Sequence, residues 1–243
     1  MVDIHTHILP AIDDGAKDMA TAKQMCDMAF GDGIRHIVCT PHANDTYAYD
    51  RKVLEQRLAE LREKTPPGLE LTLGCDFNFS FENIQTAMAE PGGFVIGQTQ
   101  YLLVELSDFA IPPAIGHALA RFVESGITPI ITHPERNLVI QQRPDLVLAF
   151  AKSGCVIQLT ANSLTGFWGL AAQRTAEWTL TRHAAHVISS DAHDLTSRPP
   201  ILSRARDLVS SRYGEDVAMA LVAGNPGAIV AGDSLPYRPK LII

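Results

Sequence analysis

Seven short β-rich runs, "VDIHTHI", "HIVCTPH", "LELTLGCDF", "YLLVEL", "TPIITHPE", "CVIQLTAN" and "HVISSDAH", punctuate the chain. Stretches with helical spacing fall between most of them: "MATAKQMCDMAFGDG", "DRKVLEQRLAELREK", "PPAIGHALARFVESG", "RPDLVLAFAKSG" and "LAAQRTAEWTLTRH", with "ILSRARDLVSSRYG" after the last run. Gly33, Gly126 and Gly154 stand where helices should stop, as residues free to take the left-handed conformation of a C-terminal cap. A parallel strand pair needs a long crossover, most often a helix. The alternation therefore predicts an α/β fold with a parallel sheet, either closed as a barrel or open and doubly wound. No repeat, low-complexity tract or linker divides the chain, so residues 1–243 are expected to form one domain.

Unusual polar residues recur at one topological position. His5 and His7 end the first run, His42 follows the second, Asp76 the third, Glu105 the fourth and His133 the fifth, while Asp191 and His193 end the seventh. In a β/α barrel the C-terminal ends of the strands share one face, where active sites are built. Side chains along a strand alternate, so Asp3, His5 and His7 should point one way and Val2, Ile4 and Ile8 the other, with Asp14 close behind in "AIDDG". Singly, each has a plain alternative: His42 as a loop cap, Asp76 and Glu105 as partners of nearby cations, "SDAHD" as a helix N-cap. Together they follow the same end of strand after strand. His36, His117, His183 and His186 fall at strand starts or on helices and are assigned no chemistry.

Imidazoles and carboxylates without a thiolate suit manganese, iron or zinc. Five histidines (His5, His7, His42, His133, His193) and four carboxylates (Asp14, Asp76, Glu105, Asp191) exceed the needs of one ion and fit two or three. Three divalent ions against four carboxylates leave positive charge suited to a phosphate monoester. Asp3 is expected either to orient an imidazole from behind or to cap backbone at the strand end. Arg136, three residues past His133, and Arg198, seven past Asp191, lie in loops on the same face, and a guanidinium matches phosphate in a two-point fork.

Several classes are disfavoured. A formal net charge of −7 argues against general affinity for nucleic acid or an anionic membrane. No apolar run reaches the roughly 18 residues of a membrane span, and no basic segment precedes an apolar one as in a signal peptide, so a cytoplasmic protein is expected. Cys26, Cys39, Cys75 and Cys155 form no CxxC pair and are expected to be buried reduced thiols. The residues six positions after them are Asp32, Asp45, Phe81 and Ala161, so the thiolate-plus-arginine loop of cysteine phosphatases is absent.

The segments "DIHTHILPAIDDGA", "CTPHAND", "VEL", "THPERN" and "SSDAHDLTSRP", with the closing "GNPGAIVAG", resemble the polymerase and histidinol phosphatase (PHP) superfamily. More narrowly, they resemble its bacterial manganese-dependent protein tyrosine phosphatases, which act on tyrosine kinases of capsule and exopolysaccharide synthesis. The resemblance implies a distorted seven-stranded (β/α)7 TIM-like barrel with a trinuclear centre. It implies one ion on His5, His7, Asp76 and Asp191, a second on Asp76, Glu105 and His133, and a third on Asp14, His42 and His193. Arg136 and Arg198 would then meet the phosphoryl group. Asp76 stands where the family usually has Glu, and the shorter arm bears on the separation of the ions it bridges.

The chemistry implied is in-line attack of metal-activated hydroxide on phosphorus, with charge taken up by metals and arginines. Phenolate, with a pKa near 10, is a comparatively good leaving group, and His42 or a metal-held water are the candidates for a general acid. The implied partner is a tyrosine-phosphorylated protein, such as the tyrosine-rich tail of a bacterial kinase. The alternatives are a phosphatase of histidinol phosphate or another small monoester, an amidohydrolase-like enzyme, and a non-catalytic phosphotyrosine-binding module.

Overall fold

The computed structural model describes residues 1–242, so the last residue of the expected domain lies outside the described residues. Nine strands occur among them: β1 (Val2–Thr6), β2 (His36–Cys39), β3 (His42–Ala43), β4 (Glu70–Leu73), β5 (Asp76–Asn78), β6 (Tyr101–Glu105), β7 (Thr128–Ile131), β8 (Val156–Thr160) and β9 (Val187–Ser189). All pairings are parallel, in the orders β1-β2-β4 and β3-β5-β6-β7-β8-β9. Each of the seven expected runs carries strand structure, but two are split. β2 leads into β3 across Thr40 and Pro41, and β4 into β5 across Gly74 and Cys75.

The split follows from Pro41 and from how closely Gly74 meets the next strand. Pro41 has no N–H to give a ladder, and the Gly74 backbone lies so close to its neighbour that a Cβ would sit 2.8 Å from Val38 Cγ1. Single hydrogen bonds carry the pairing through, from Gly74 N to Cys39 O at 2.8 Å and from Asp76 N to Pro41 O at 3.1 Å.

The sheet is curled. Ile4, Val38, Leu103, Ile130, Val156 and Val187, from six different strands, pack with one another, and strands far apart in the order can meet only across a concave face. On the other face Leu102, Val104, Ile131 and Ile157 pack against Leu119, Phe122 and Leu148 of the helices Ala114–Glu124 and Asp145–Lys152. Period-two alternation then aims Glu105, two residues beyond Leu103, and Gln158, two beyond Val156, into the concave side near the strands' C-terminal ends. Beyond β1 and β9 the chain also pairs, with Thr6 bridging Ala192, Asp191 N donating to His5 O at 2.9 Å and His7 N to Ala192 O at 2.8 Å.

The helices start and stop where local chemistry favours it. Asp18 caps Met19–Gly31 by accepting from Thr21 N, and Asp50 caps Arg51–Arg62 by accepting from Lys52 N and Val53 N. Gly33, Gly126 and Gly154 have φ of 93°, 88° and 96°, the left-handed region expected of them. The helices Phe81–Ala89 and Asn225–Ala231 were not distinguished by periodicity, being short and next to glycine- and proline-containing turns. Among the described residues no helix is long and apolar enough to cross a membrane. All four cysteines are free and buried.

Candidate metal centre

The end of β1 brings two imidazoles into the concave side, where His5 Nε2 and His7 Nε2 are 3.3 Å apart. Both face the same carboxylates: His5 Nε2 is 3.6 Å from Asp76 Oδ2 and 3.5 Å from Asp191 Oδ1, and His7 Nε2 is 3.5 Å from Asp191 Oδ1. His42, opening β3, is 3.1 Å from Asp76 Oδ2 through Nδ1 and 3.4 Å from Asp14 Oδ1 through Nε2. His193 Nε2 reaches the same Asp14 oxygen at 3.4 Å, and His133 Nε2 lies 3.7 Å from Glu105 Oε1. Ligands about 2.1 Å from a shared ion are separated by about 3 to 3.5 Å, so these spacings match donor atoms around cations.

All nine expected ligands thus converge. Three groups have donor atoms within 4.8 Å of one another: His7, Asp14, His42 and His193; His5, His7 and Asp76; and His42, Asp76 and Glu105. The resemblance implied a slightly different division. His7, His42 and Asp76 each fall in two groups, while Asp191 meets His5 and His7 at 3.5 Å and His133 meets Glu105 at 3.7 Å outside those groups.

Three of the histidines have their outward nitrogen engaged. His5 Nδ1 is 2.9 Å from Gln158 Oε1, His7 Nδ1 is 2.7 Å from Asp13 Oδ2, and His193 Nδ1 is 3.0 Å from the Asp191 carbonyl. Each Nδ1–H can donate to an oxygen, leaving Nε2 with its lone pair turned inward, the tautomer that a cation needs. The expected role of Asp3 behind an imidazole is therefore corrected. Its Oδ1 accepts from Ser190 N at 3.0 Å and from His5 N at 3.4 Å, the backbone cap that was the other expected role, because its carboxylate meets the chain just past β9 and no imidazole nitrogen. Asp13 and Gln158 take the orienting positions, and neither was singled out in the sequence.

The "DDG" turn wraps His7 tightly. Ala16 N donates to His7 O at 3.0 Å, Gly15 N to Asp13 Oδ1 at 3.0 Å, and a Cβ on Gly15 would lie 1.9 Å from His7 O. His133 and Asp191 both have positive φ, 31° and 53°, an uncommon conformation for side-chain-bearing residues that recurs at functional sites.

Burial opposes charge on His5, but Asp76 and Asp191 outweigh it and push its pKa up to about 9. Burial and the neighbouring His193 bring His7 down to about 4. Burial, reinforced by Asp76, pushes Glu105 up to about 7. The His193 and His42 imidazoles beside it hold Asp14 well below the usual carboxylate range. Without a cation, packing this many ionisable groups together is tolerated only through such mutual shifts. Both Asp76 oxygens, His42 Nδ1 and His193 Nε2 are buried with no hydrogen-bond partner, a condition that native structures avoid. Divalent cations satisfy lone pairs of this kind, so the residues present fit a multinuclear site.

Arg136 and Arg198 both pair with Asp191 Oδ2, Arg198 at 2.7 Å. Trp168, which the sequence did not mark out, packs beside both guanidinium groups. Their central carbons are 4.0 Å and 5.3 Å from its ring centroid. Behind Arg136, the buried Glu135 accepts from Thr160 N at 2.8 Å and fastens the turn to β8.

Comparison with known proteins places this arrangement. The family model described as capsular polysaccharide synthesis, CpsB/CapC, matches residues 1–231. The chain belongs to the CpsB/CapC family. It is 33% identical over 232 residues to the putative tyrosine-protein phosphatase CapC of Staphylococcus aureus, covering 92% of this chain and 89% of that protein. It is 28% identical over 231 residues to the tyrosine-protein phosphatase YwqE of Bacillus subtilis (strain 168), covering 91% and 88%. A chain from the crystal structures of YwqE and of CpsB from Streptococcus pneumoniae, described as unique metal-dependent tyrosine phosphatases, superposes with a TM-score of 0.86 at 26% identity, covering both chains fully. For this CpsB/CapC member the expected superfamily thus holds.

Proposed function

We propose that this CpsB/CapC member is a metal-dependent protein tyrosine phosphatase. The observation that carries the proposal is the meeting of five histidines and four carboxylates with Arg136 and Arg198 on one face, several of the donor atoms buried and unpaired. His5, His7, Asp76 and Asp191 would hold one divalent ion, Asp76, Glu105 and His133 a second, and Asp14, His42 and His193 a third, manganese being the one that the resemblance favours among the manganese, iron and zinc that the donor set suits. When bound, the ions supply Lewis acidity that lowers the pKa of a water and draws charge off the phosphoryl oxygens.

The chain's own groups do the rest. Gln158, Asp13 and the Asp191 carbonyl fix the tautomers of His5, His7 and His193. Arg136 and Arg198 turn toward the phosphoryl oxygens as charge shifts during transfer. His42, the most exposed of the five site histidines, can protonate the leaving phenolate only while it is not ligating the third ion, and a metal-held water is the alternative acid. The substrate is a tyrosine-phosphorylated protein, and the sequence resemblance favours the tyrosine-rich tail of a cytoplasmic kinase of capsule or exopolysaccharide synthesis. The curled sheet is a single-domain barrel of seven strand passes, with the Thr6–Ala192 bridge as its seam.

Purified protein, stripped with chelator and reconstituted with manganese, iron or zinc, tests the proposal on a phosphotyrosine peptide beside phosphoserine peptide and histidinol phosphate. Activity on phosphotyrosine that chelator abolishes and manganese restores best is the expected result. Full activity in excess chelator refutes a metal-dependent phosphatase, and equal specificity constants on histidinol phosphate favour the small-substrate alternative.

A further inference from the structure

A cavity of about 420 Å³ opens beside the metal-ligand cluster, within the range of small-ligand sites. Its lining joins Glu105, His133 and Arg136, groups already placed in the centre, to the apolar Leu138, Trp168 and Leu170. Leu138 is 54% exposed and Leu170 67%. Phe109, 89% exposed, follows the lining residue Asp108, and Phe167, 51% exposed, precedes Trp168 and meets its ring edge to face at 5.2 Å. Large apolar side chains grouped in water at the rim of a charged site mark a surface that is covered when a ligand is present.

Resting on the phosphatase reading above, we propose that this cavity is the subsite for the aromatic ring of the substrate. The ring lies against Leu138, Trp168 and Leu170 while its phosphoryl group is held at Arg136 and the metal cluster. The ring of a phosphotyrosine is joined to phosphorus through one oxygen, so a phosphoryl group at Arg136 puts the ring within a few ångströms of that side chain. The side chain packed directly on Arg136 is Trp168. Phosphoserine and phosphothreonine place only an aliphatic carbon or two there, and gain little from an aromatic and leucine wall. Preference for phosphotyrosine would then come from this wall as well as from the leaving group.

A Leu138→Ser, Leu170→Ser double variant tests this, since both side chains are exposed and neither supports the core. Calorimetric titration of manganese-loaded parent and variant with phenylphosphonate, which carries a ring, and with inorganic phosphate, which does not, separates the two parts of the site. Manganese content and hydrolysis of a phosphotyrosine peptide are measured alongside. The expected result is a loss of about tenfold or more in phenylphosphonate affinity, the scale of an impaired apolar pocket, with phosphate affinity and manganese content unchanged. Equal retention of phenylphosphonate affinity overturns the subsite, as does a parallel loss for both ligands. A parent that binds manganese but never hydrolyses the peptide overturns the phosphatase reading and the subsite with it.

Discussion

Replacing Asp13, which stands one residue before a proposed ligand, should weaken the metal centre without touching a ligand. Its side chain is 1% exposed, and it holds three partners: His7 Nδ1 at 2.7 Å, the Gly15 amide at 3.0 Å and the His42 amide at 3.2 Å. Burial works against its charge, but the His7 contact prevails and its pKa is lowered. Asp13→Ala leaves the buried His7 Nδ1 without an acceptor, which costs about 1 to 3 kcal/mol, and releases the tautomer that turns Nε2 inward. For a chain of this size each kcal/mol shifts the melting temperature by about 2 to 4 °C, so metal-free Asp13→Ala should melt about 2 to 12 °C lower. Loss of such a supporting partner commonly weakens metal binding about ten- to a hundredfold. Asp13→Asn should lose less, because its amide oxygen can still accept from His7 Nδ1. Manganese titration in competition with a fluorescent chelator, beside thermal melts in excess chelator, reads both quantities. Parental manganese affinity in Asp13→Ala would refute the tautomer-fixing role, whatever happens to the melt.

Arg136→Ala and Arg198→Ala should each lower phosphatase turnover by about a hundredfold, the scale of a lost oxyanion donor, and Arg→Lys should recover only part because an ammonium lacks the two-point fork; steady-state rates with metal analysis check this, and near-parental turnover in both Ala variants refutes it. Gly15→Ala should displace the turn over His7 and reduce manganese affinity, since its Cβ would lie 1.9 Å from His7 O; unchanged affinity would show that the turn shifts freely. Asp3 is fully buried, and burial raises its pKa to about 6 despite hydrogen bonds from Ser190. The folded, metal-free chain therefore keeps that proton where the unfolded chain has lost it, so stability from this group falls as pH rises from about 4 to about 6. Asp3→Asn should flatten that part of the stability–pH curve measured by denaturant titration in chelator.

The strand-ending polar residues were legible because each belongs to a local pattern: a β-rich run, then histidine or carboxylate, then a turn. That pattern located His5, His7, His42, Asp76, Glu105, His133, Asp191 and His193 on one face before any contact was known. The split of two runs was less legible. It depends on how closely Gly74 approaches Val38, a distance between neighbouring strands. Gln158 gave no chemical signal of its own, since a glutamine within a strand is unremarkable until a histidine 153 positions away is found at its side-chain oxygen. Trp168 was hidden for the same reason: an aromatic residue in a loop acquires its role only when two arginines from other loops pack on it.

The sequence by itself determined the chemical inventory, a thiol-free set of imidazoles, carboxylates and two guanidinium groups, and the end of the sheet on which it gathers. Both follow from residue type and from the two-residue period of a strand, which act over a few residues. Only the tertiary structure decided the pairings. Asp13 rather than Asp3 supports an imidazole, both arginines share Asp191, and Trp168 joins Leu138 and Leu170 beside Arg136. Those outcomes turn on distances of a few ångströms between segments that the sequence alone does not set, and such distances exist only once the sheet has curled and its helices have packed.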